Sequence, residues 1–292
     1  MSNDNPEDNS SDIAGIKPAA KAIEAATLKT VDGLGKFFGA ICMPAATEFG
    51  LLLRDHISAY RHKNLEKIAA KTQKKIKDQG ISASGEANPR LIKEILEEAS
   101  WCEDDAIQSM WAGLLSVASG TTSAADDSLI YTDILKRLTP FQAAFLNKVY
   151  WDPRCCSVKP PIGFKEDDAF YPENKLIYSN VEVLKMFPGD LSTIVPIAYR
   201  THEEILSSEE DHGIAISRFR PQIEGLKVLG LIQDVKFLNA QKDGVYVFPN
   251  LKGLDLFMRG LGYSIYPLEA FLLTLQHWNR EQGIDPFTYE RT

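Results

Sequence analysis

The stretch Leu91–Ala118, LIKEILEEASWCEDDAIQSMWAGLLSVA, decides the fold class. Its first half sets Leu91, Ile92, Ile95, Leu96 and Ala99 at the three- and four-residue steps of one helix face. Its second half repeats the step with Ile107, Met110, Trp111, Leu114, Leu115 and Ala118, a stripe broad enough for a helix packed on several sides. Between them Ser100 and Glu103 have the spacing of a capping box, with Ser100 as the N-cap. Glu103, Asp104 and Asp105 fall in the first turn, where the helix dipole favours acids. That suffices to explain the cluster, and no His or ordered ligand spacing turns it into a metal site. An indole in the centre of the stripe predicts a buried Trp111 packed against Leu96 or its neighbours.

Upstream, Phe49, Leu52, Leu53, Ile57, Tyr60, Asn64, Ile68 and Ile76 continue one stripe, which predicts a single long helix from Thr47 to Gln79. Gly80 supplies its stop. The outer face is basic: from Arg54 to Gln79 eight bases stand against three acids. Lys63, Lys67, Lys71, Lys74, Lys75 and Lys77 are therefore candidate contacts to an anionic surface, or else a solvated face suited to a helix C-terminus. Before this helix runs VDGLGKFFGAICMPAA, residues 31–46, apolar and rich in glycine. Its uncharged core is far shorter than the ~20 residues of a spanning helix, so it reads as buried core or as a membrane-interfacial segment. Downstream, Leu129, Ile130, Ile134, Leu135 and Leu138 make a further helix. Thr139, Pro140 and Gln142 cap the next, which buries Phe141, Phe145, Leu146 and Val149.

The period breaks over residues 151–175, WDPRCCSVKPPIGFKEDDAFYPENK, an irregular linker. Beyond it Ser179 with Glu182 and Thr201 with Glu204 have capping spacing, and the run Glu203, Glu204, Glu209, Glu210, Asp211 reads as an exposed face. Ile216, Phe219, Ile223, Leu226 and Leu229 predict a helix ending at Gly230. LIQDVKFL and VYVFPN then predict an antiparallel hairpin turning at Asp243-Gly244. Helix followed by hairpin is the tail of a winged-helix module, in which Arg218 and Arg220 would be the base-reading side chains. Helices over Leu251–Leu261 and Pro267–Asn279 close the chain.

The organisation is thus an acidic tail over residues 1–12, the Ala/Gly-rich segment 13–46, a helical bundle over 47–150, the linker 151–175, and a winged-helix-like module with a β-hairpin over 176–292. The fold class is mainly α, an N-terminal helical bundle with one long helix followed by a C-terminal winged-helix-like α+β module. A net charge of −8 argues against nucleic acid held by the overall field. Cys42, Cys102, Cys155 and Cys156 show neither disulfide nor C-x-x-C spacing, as expected of reduced cytoplasmic thiols. The first twelve residues carry acids and no base, the reverse of a signal n-region.

No phosphate loop, nucleophile elbow or dinucleotide fingerprint is present. His56 lies on or beside the long helix's stripe and reads as a packed residue. His62 sits among cations, and Arg61-His62-Lys63-Asn64-Leu65 lacks the order of a helical ribonuclease site. No catalytic residue, metal ligand or cofactor site is assigned.

Three blocks carry a resemblance to a known family: PAATEFGLLLRDHISAYRHKN, LIKEILEEASWCEDDAIQSMWAGLLSVA and YTDILKRLTPFQAAFLNKVY. They resemble the abortive infection alpha (Abi-alpha) proteins of bacteria over roughly Ala40 to Tyr150, with a weaker echo at FRPQIEGLKVLGLIQ. The resemblance implies a predominantly helical protein of anti-phage defence and carries over no catalytic residue. The leading expectation is a non-enzymatic effector or interaction protein, cytoplasmic or peripheral at the inner membrane. Its expected partners are an anionic membrane surface, a second copy or a defence-system protein. The alternatives are a winged-helix DNA-binding regulator and a hydrolase whose site is assembled only in the folded chain.

Overall fold

Twelve helices and three strands form in the computed structural model, which describes residues 16–56, 58–120, 124–152, 155, 176–194, 200–238 and 244–263. The helices are α1 (Ile16–Ala25), α2 (Val31–Ile41), α3 (Ala46–His56), α4 (Ala59–Asp78), α5 (Pro89–Glu97), α6 (Asp105–Ser119), α7 (Ala124–Leu135), α8 (Pro140–Trp151), α9 (Asn180–Lys185), α10 (His202–Ser207), α11 (Glu209–Val228) and α12 (Leu251–Leu261). The strands are β1 (Leu176–Tyr178), β2 (Ile232–Phe237) and β3 (Val245–Pro249). The fold is mainly α with one small antiparallel sheet, as the periodicity predicts.

Helix α6 is the axis of the bundle. Every residue from Met110 to Ser119 is buried, and Trp111 is 1% exposed. Such a helix must be covered on all sides, and α4, α5, α7, α8 and α12 do so. Gly113 permits the closest of these contacts. A Cβ there would lie 2.1 Å from the Gly260 carbonyl oxygen and 2.3 Å from that of Arg259, so the backbones of α6 and α12 touch at this point.

The apolar run before α3 is core. Leu34, Phe37, Phe38, Ile41 and Cys42 are fully buried, and α2 lies against α3 with Gly39 facing the Ala46 methyl. The single helix expected over Thr47–Gln79 is instead two, α3 and α4. The hydroxyl of Ser58 accepts from the Arg61 N–H and so caps α4 locally, which an uninterrupted helix would not require. Gly80, at φ +62°, ends α4 where the sequence places its stop.

Capping predictions succeed where the partners are local. Thr139/Gln142, Ser179/Glu182 and Thr201/Glu204 all form reciprocal boxes. The box expected at Ser100/Glu103 does not form. Asp104 caps α6 by accepting from the Ile107 N–H at 2.9 Å, and Ser100 lies in a 3-10 turn over Ala99–Trp101.

Helix α11 leads into the predicted hairpin. Strands β2 and β3 pair antiparallel with Val235 opposite Val247, and β1 adds to the other edge of β3 with Ile177 opposite Tyr246. Gly244 lies at the expected turn; Asp243 and the helix expected over Pro267–Asn279 fall outside the described residues. Residues 1–12, and all of the linker but Trp151, Asp152 and Cys155, fall outside them too. The acidic run near α11 is not wholly a solvated face: Asp211 is 5% exposed and salt-bridged to Arg200. One buried apolar cluster extends from Ala19 to Met258 and joins the sheet to the bundle. At the junction the Tyr150 hydroxyl donates to the Leu231 carbonyl at 2.7 Å and accepts from the Asn250 N–H at 3.2 Å.

Candidate interaction surface

Helix α4 is built from two faces. Leu65, Ile68, Ala69, Thr72 and Ile76 are buried, while Lys63, Lys67, Lys74 and Lys77 are exposed. At 100° per residue these four lysines fall on one stripe. The other two candidate lysines turn into the fold. The Lys71 ammonium pairs with Asp105 at 2.6 Å and donates to the Asp105 carbonyl. Lys75 donates to the Leu261 carbonyl at the end of α12, beside Gln79, which donates to the same oxygen. Burial, helped by the charge of Lys71, lowers the Lys75 pKa to about 8. The six candidates are therefore not one surface.

At the N-terminal end of α4 lies a cleft of about 450 Å³, walled by α4, the α5–α6 turn and the segment from Leu135 to Pro140. Trp101 stands at its edge, 58% exposed, with Tyr60 beside it at 6.2 Å between ring centroids. The backbone that carries Trp101 is tied down from below. Arg61 donates through Nε to Ser100 Oγ at 2.9 Å and through its terminal nitrogen to the Leu96 carbonyl at 2.8 Å. Asn64 donates to the Ser100 carbonyl, and Gln108 donates to the Cys102 carbonyl at 2.7 Å. The same guanidinium lies 4.9 Å from the Trp101 ring centroid. The turn is thus fixed while its indole faces solvent.

The rim of the cleft is acidic. Glu98, Glu103 and Asp104 line it, and among the described residues none of the three is in a salt bridge. The one lining cation, Lys136, is held by Glu94 at 2.5 Å and by Asp133 at 3.4 Å. The Glu94 hydrogen bond is the main reason that its pKa is raised. Cys102 also lines the cleft. Burial raises its thiol pKa against a smaller lowering by the Asp104 backbone, and the thiol donates to the Asp104 carbonyl at 3.8 Å, as a protonated sulfur does. No histidine among the described residues lines the cleft. Among the described residues no group of three or more His, Cys, Asp or Glu could hold a metal ion.

Arg218 and Arg220 are both exposed on α11. Arg220 is engaged, with Glu224 at 2.9 Å and its guanidinium 4.8 Å from the Phe237 ring centroid, and Lys227 pairs with Asp234 at 2.7 Å. Sequence reading passes over Trp101. Its signal is that it falls outside both apolar stripes that flank it.

Among the described residues no helix is long and apolar enough to cross a membrane. What the fold defines is a mainly helical protein with a small antiparallel sheet, its exposed features an aromatic-acidic cleft and a basic stripe. The chain belongs to the abortive infection alpha family, whose model matches residues 60–235, more than half its length. The match takes in α4, the cleft turn, α6 and α11. No curated protein and no solved structure matches the chain.

Proposed function

We propose that the chain serves abortive-infection defence as a non-enzymatic interaction protein, acting through the surface around Trp101. The family match supports the defence role. The observation that carries the interaction reading is a rigidly held turn presenting an indole that is 58% exposed beside an open cleft. Anchored aromatics of this kind dominate binding energy at protein interfaces. The cleft offers a carboxylate rim beside the exposed indole, a surface suited to binding.

The C-terminal module reads as a winged helix used for packing. Its order, β1, three helices and a hairpin, supports that reading. The inner face of α11 (Phe219, Ile223, Leu226) is buried against the fold, and the Phe141 and Phe219 ring centroids lie 4.5 Å apart. On its outer face Arg220 and Lys227 are paired to acids, which weakens their offer to phosphate, while Arg218 is exposed.

The test is a plating assay in a phage-sensitive bacterium expressing the chain. Fewer plaques, together with death of infected cells, is the expected result, and Trp101→Ala should lose the effect without losing the fold. Plating equal to that of cells without the chain, across a broad phage panel, would overturn the reading.

A further inference from the structure

We propose that the Trp101 cleft takes a basic segment of a partner protein, an arginine or lysine side chain lying over the indole with its charge between Glu98 and Glu103. This names the partner chemistry of the surface just described and rests on that reading. Charge complementarity selects the occupant. Among the described residues three carboxylates outside any salt bridge line the cleft against one ammonium, and that ammonium is already held by Glu94 and Asp133. Glu98 and Glu103 are exposed, so a partner cation gains their attraction with little desolvation of buried charge.

Geometry narrows the choice further. The turn is pinned by Arg61, Asn64 and Gln108, so little ordering is left to be done on binding. Arg61 already stacks its guanidinium on the Trp101 ring, 4.9 Å from the centroid. A partner cation would therefore meet the part of the indole that stays exposed, with the tilted Tyr60 ring beside it at 6.2 Å. A volume of about 450 Å³ accommodates a long side chain and its neighbours but not a folded domain. An acidic partner would meet the carboxylate rim, and an apolar one would leave that rim desolvated and unpaired.

The experiment is calorimetric titration of the full chain with acetylated tetra-arginine amide at low salt, with tetra-citrulline as the uncharged match in shape. Saturable binding of the arginine peptide alone is expected. Glu98→Gln with Glu103→Gln, and separately Trp101→Ala, should each weaken it by about tenfold or more. The distant pair Glu203→Gln and Glu209→Gln should leave it unchanged, and all variants should melt within error of wild type. Four results would overturn the proposal: no binding, equal binding of citrulline, equal loss from the distant pair, or wild-type self-association that Trp101→Ala abolishes. Loss of peptide binding with phage protection intact defeats this inference alone. Peptide binding without phage protection defeats the defence reading alone.

Discussion

Gly113→Ala separates two forces of opposite sign. In an isolated helix the change is favourable by ~1 kcal/mol, because alanine loses less backbone entropy than glycine. In α6 the added methyl would lie 2.1 Å from the Gly260 oxygen, 2.3 Å from the Arg259 oxygen and 2.4 Å from the Gly260 carbonyl carbon. All three are backbone atoms, so no rotamer change relieves them; α12 must move by roughly the missing ångström. Overpacking that shifts backbone costs ~1–3 kcal/mol, occasionally more. Here the displaced helix also carries Leu254, Leu256, Phe257 and Met258 in the core, and its last carbonyl holds Lys75 and Gln79. The upper end therefore applies, and a net loss of ~2 kcal/mol or more remains after the helix gain. Urea denaturation reads the loss directly, and thermal melting should show a fall in Tm of ~4 °C or more, as domain-scale unfolding entropies imply. Gly260→Ala should be milder, because its nearest neighbour, the Met110 Cγ at 3.2 Å, belongs to a flexible side chain. A Gly113→Ala protein as stable as wild type, or more so, would show that α6 and α12 do not touch as described.

Tyr150→Phe leaves the Leu231 carbonyl and the Asn250 N–H short of a partner in the core and should cost ~1–3 kcal/mol in urea denaturation; wild-type stability would refute the junction between bundle and sheet. Lys75 has its pKa lowered from 10.5 to about 8, so between those values the folded chain holds fewer protons at this site than the unfolded one. Its contribution to stability should therefore be flat below pH 8 and rise toward pH 10.5, and the wild-type minus Lys75→Met difference should show that slope; a difference independent of pH would refute it. Reversal of Lys63, Lys67, Lys74 and Lys77 to glutamate should release the chain from anionic vesicles at ~1 kcal/mol per charge, and a wild-type protein that fails to float at low salt would remove the membrane-surface reading.

The features legible in the sequence share one property: their causes lie within a turn or two of chain. The stripe through Ile107, Trp111 and Leu115, the boxes at Thr139, Ser179 and Thr201, and the stops at Gly80 and Gly230 are all settled locally. Expectation and structure part where a distant group competes. Arg61 takes the Ser100 hydroxyl that the spacing assigns to a helix cap, and Asp104 caps α6 instead. Arg200 draws Asp211 into the interior out of a run of acids that reads as solvated. The division of the basic stripe has the same origin, since Lys71 and Lys75 meet α6 and α12 while their neighbours meet water. Gly113 carries no local mark at all, because what requires it is a carbonyl nearly 150 residues away.

The turn at Trp101 bears two stability costs at once. Its indole, the largest apolar side chain in the repertoire, is 58% exposed. Beneath it Gln108 is fully buried, and among the described residues its side-chain oxygen finds no hydrogen-bond partner although its nitrogen donates to the Cys102 carbonyl and to Asn64 Oδ1. An unpaired buried acceptor of this kind costs ~1–3 kcal/mol. A sequence selected only for stability would carry a polar residue at 101 and a fully partnered one at 108. Instead the Gln108 nitrogen anchors the very backbone that holds the indole outward, so the two costs are coupled in space. An exposed indole on a turn fixed by hydrogen bonds is what a preorganised binding surface requires, since order established on folding need not be established again on association. The coupling also gives a direction: Gln108→Leu removes the unpaired oxygen but strips the Cys102 carbonyl of its donor, so the two effects of ~1–3 kcal/mol oppose each other in urea denaturation. The loosened turn should weaken arginine-peptide binding with the cleft's rim untouched, and binding equal to wild type would refute the coupling.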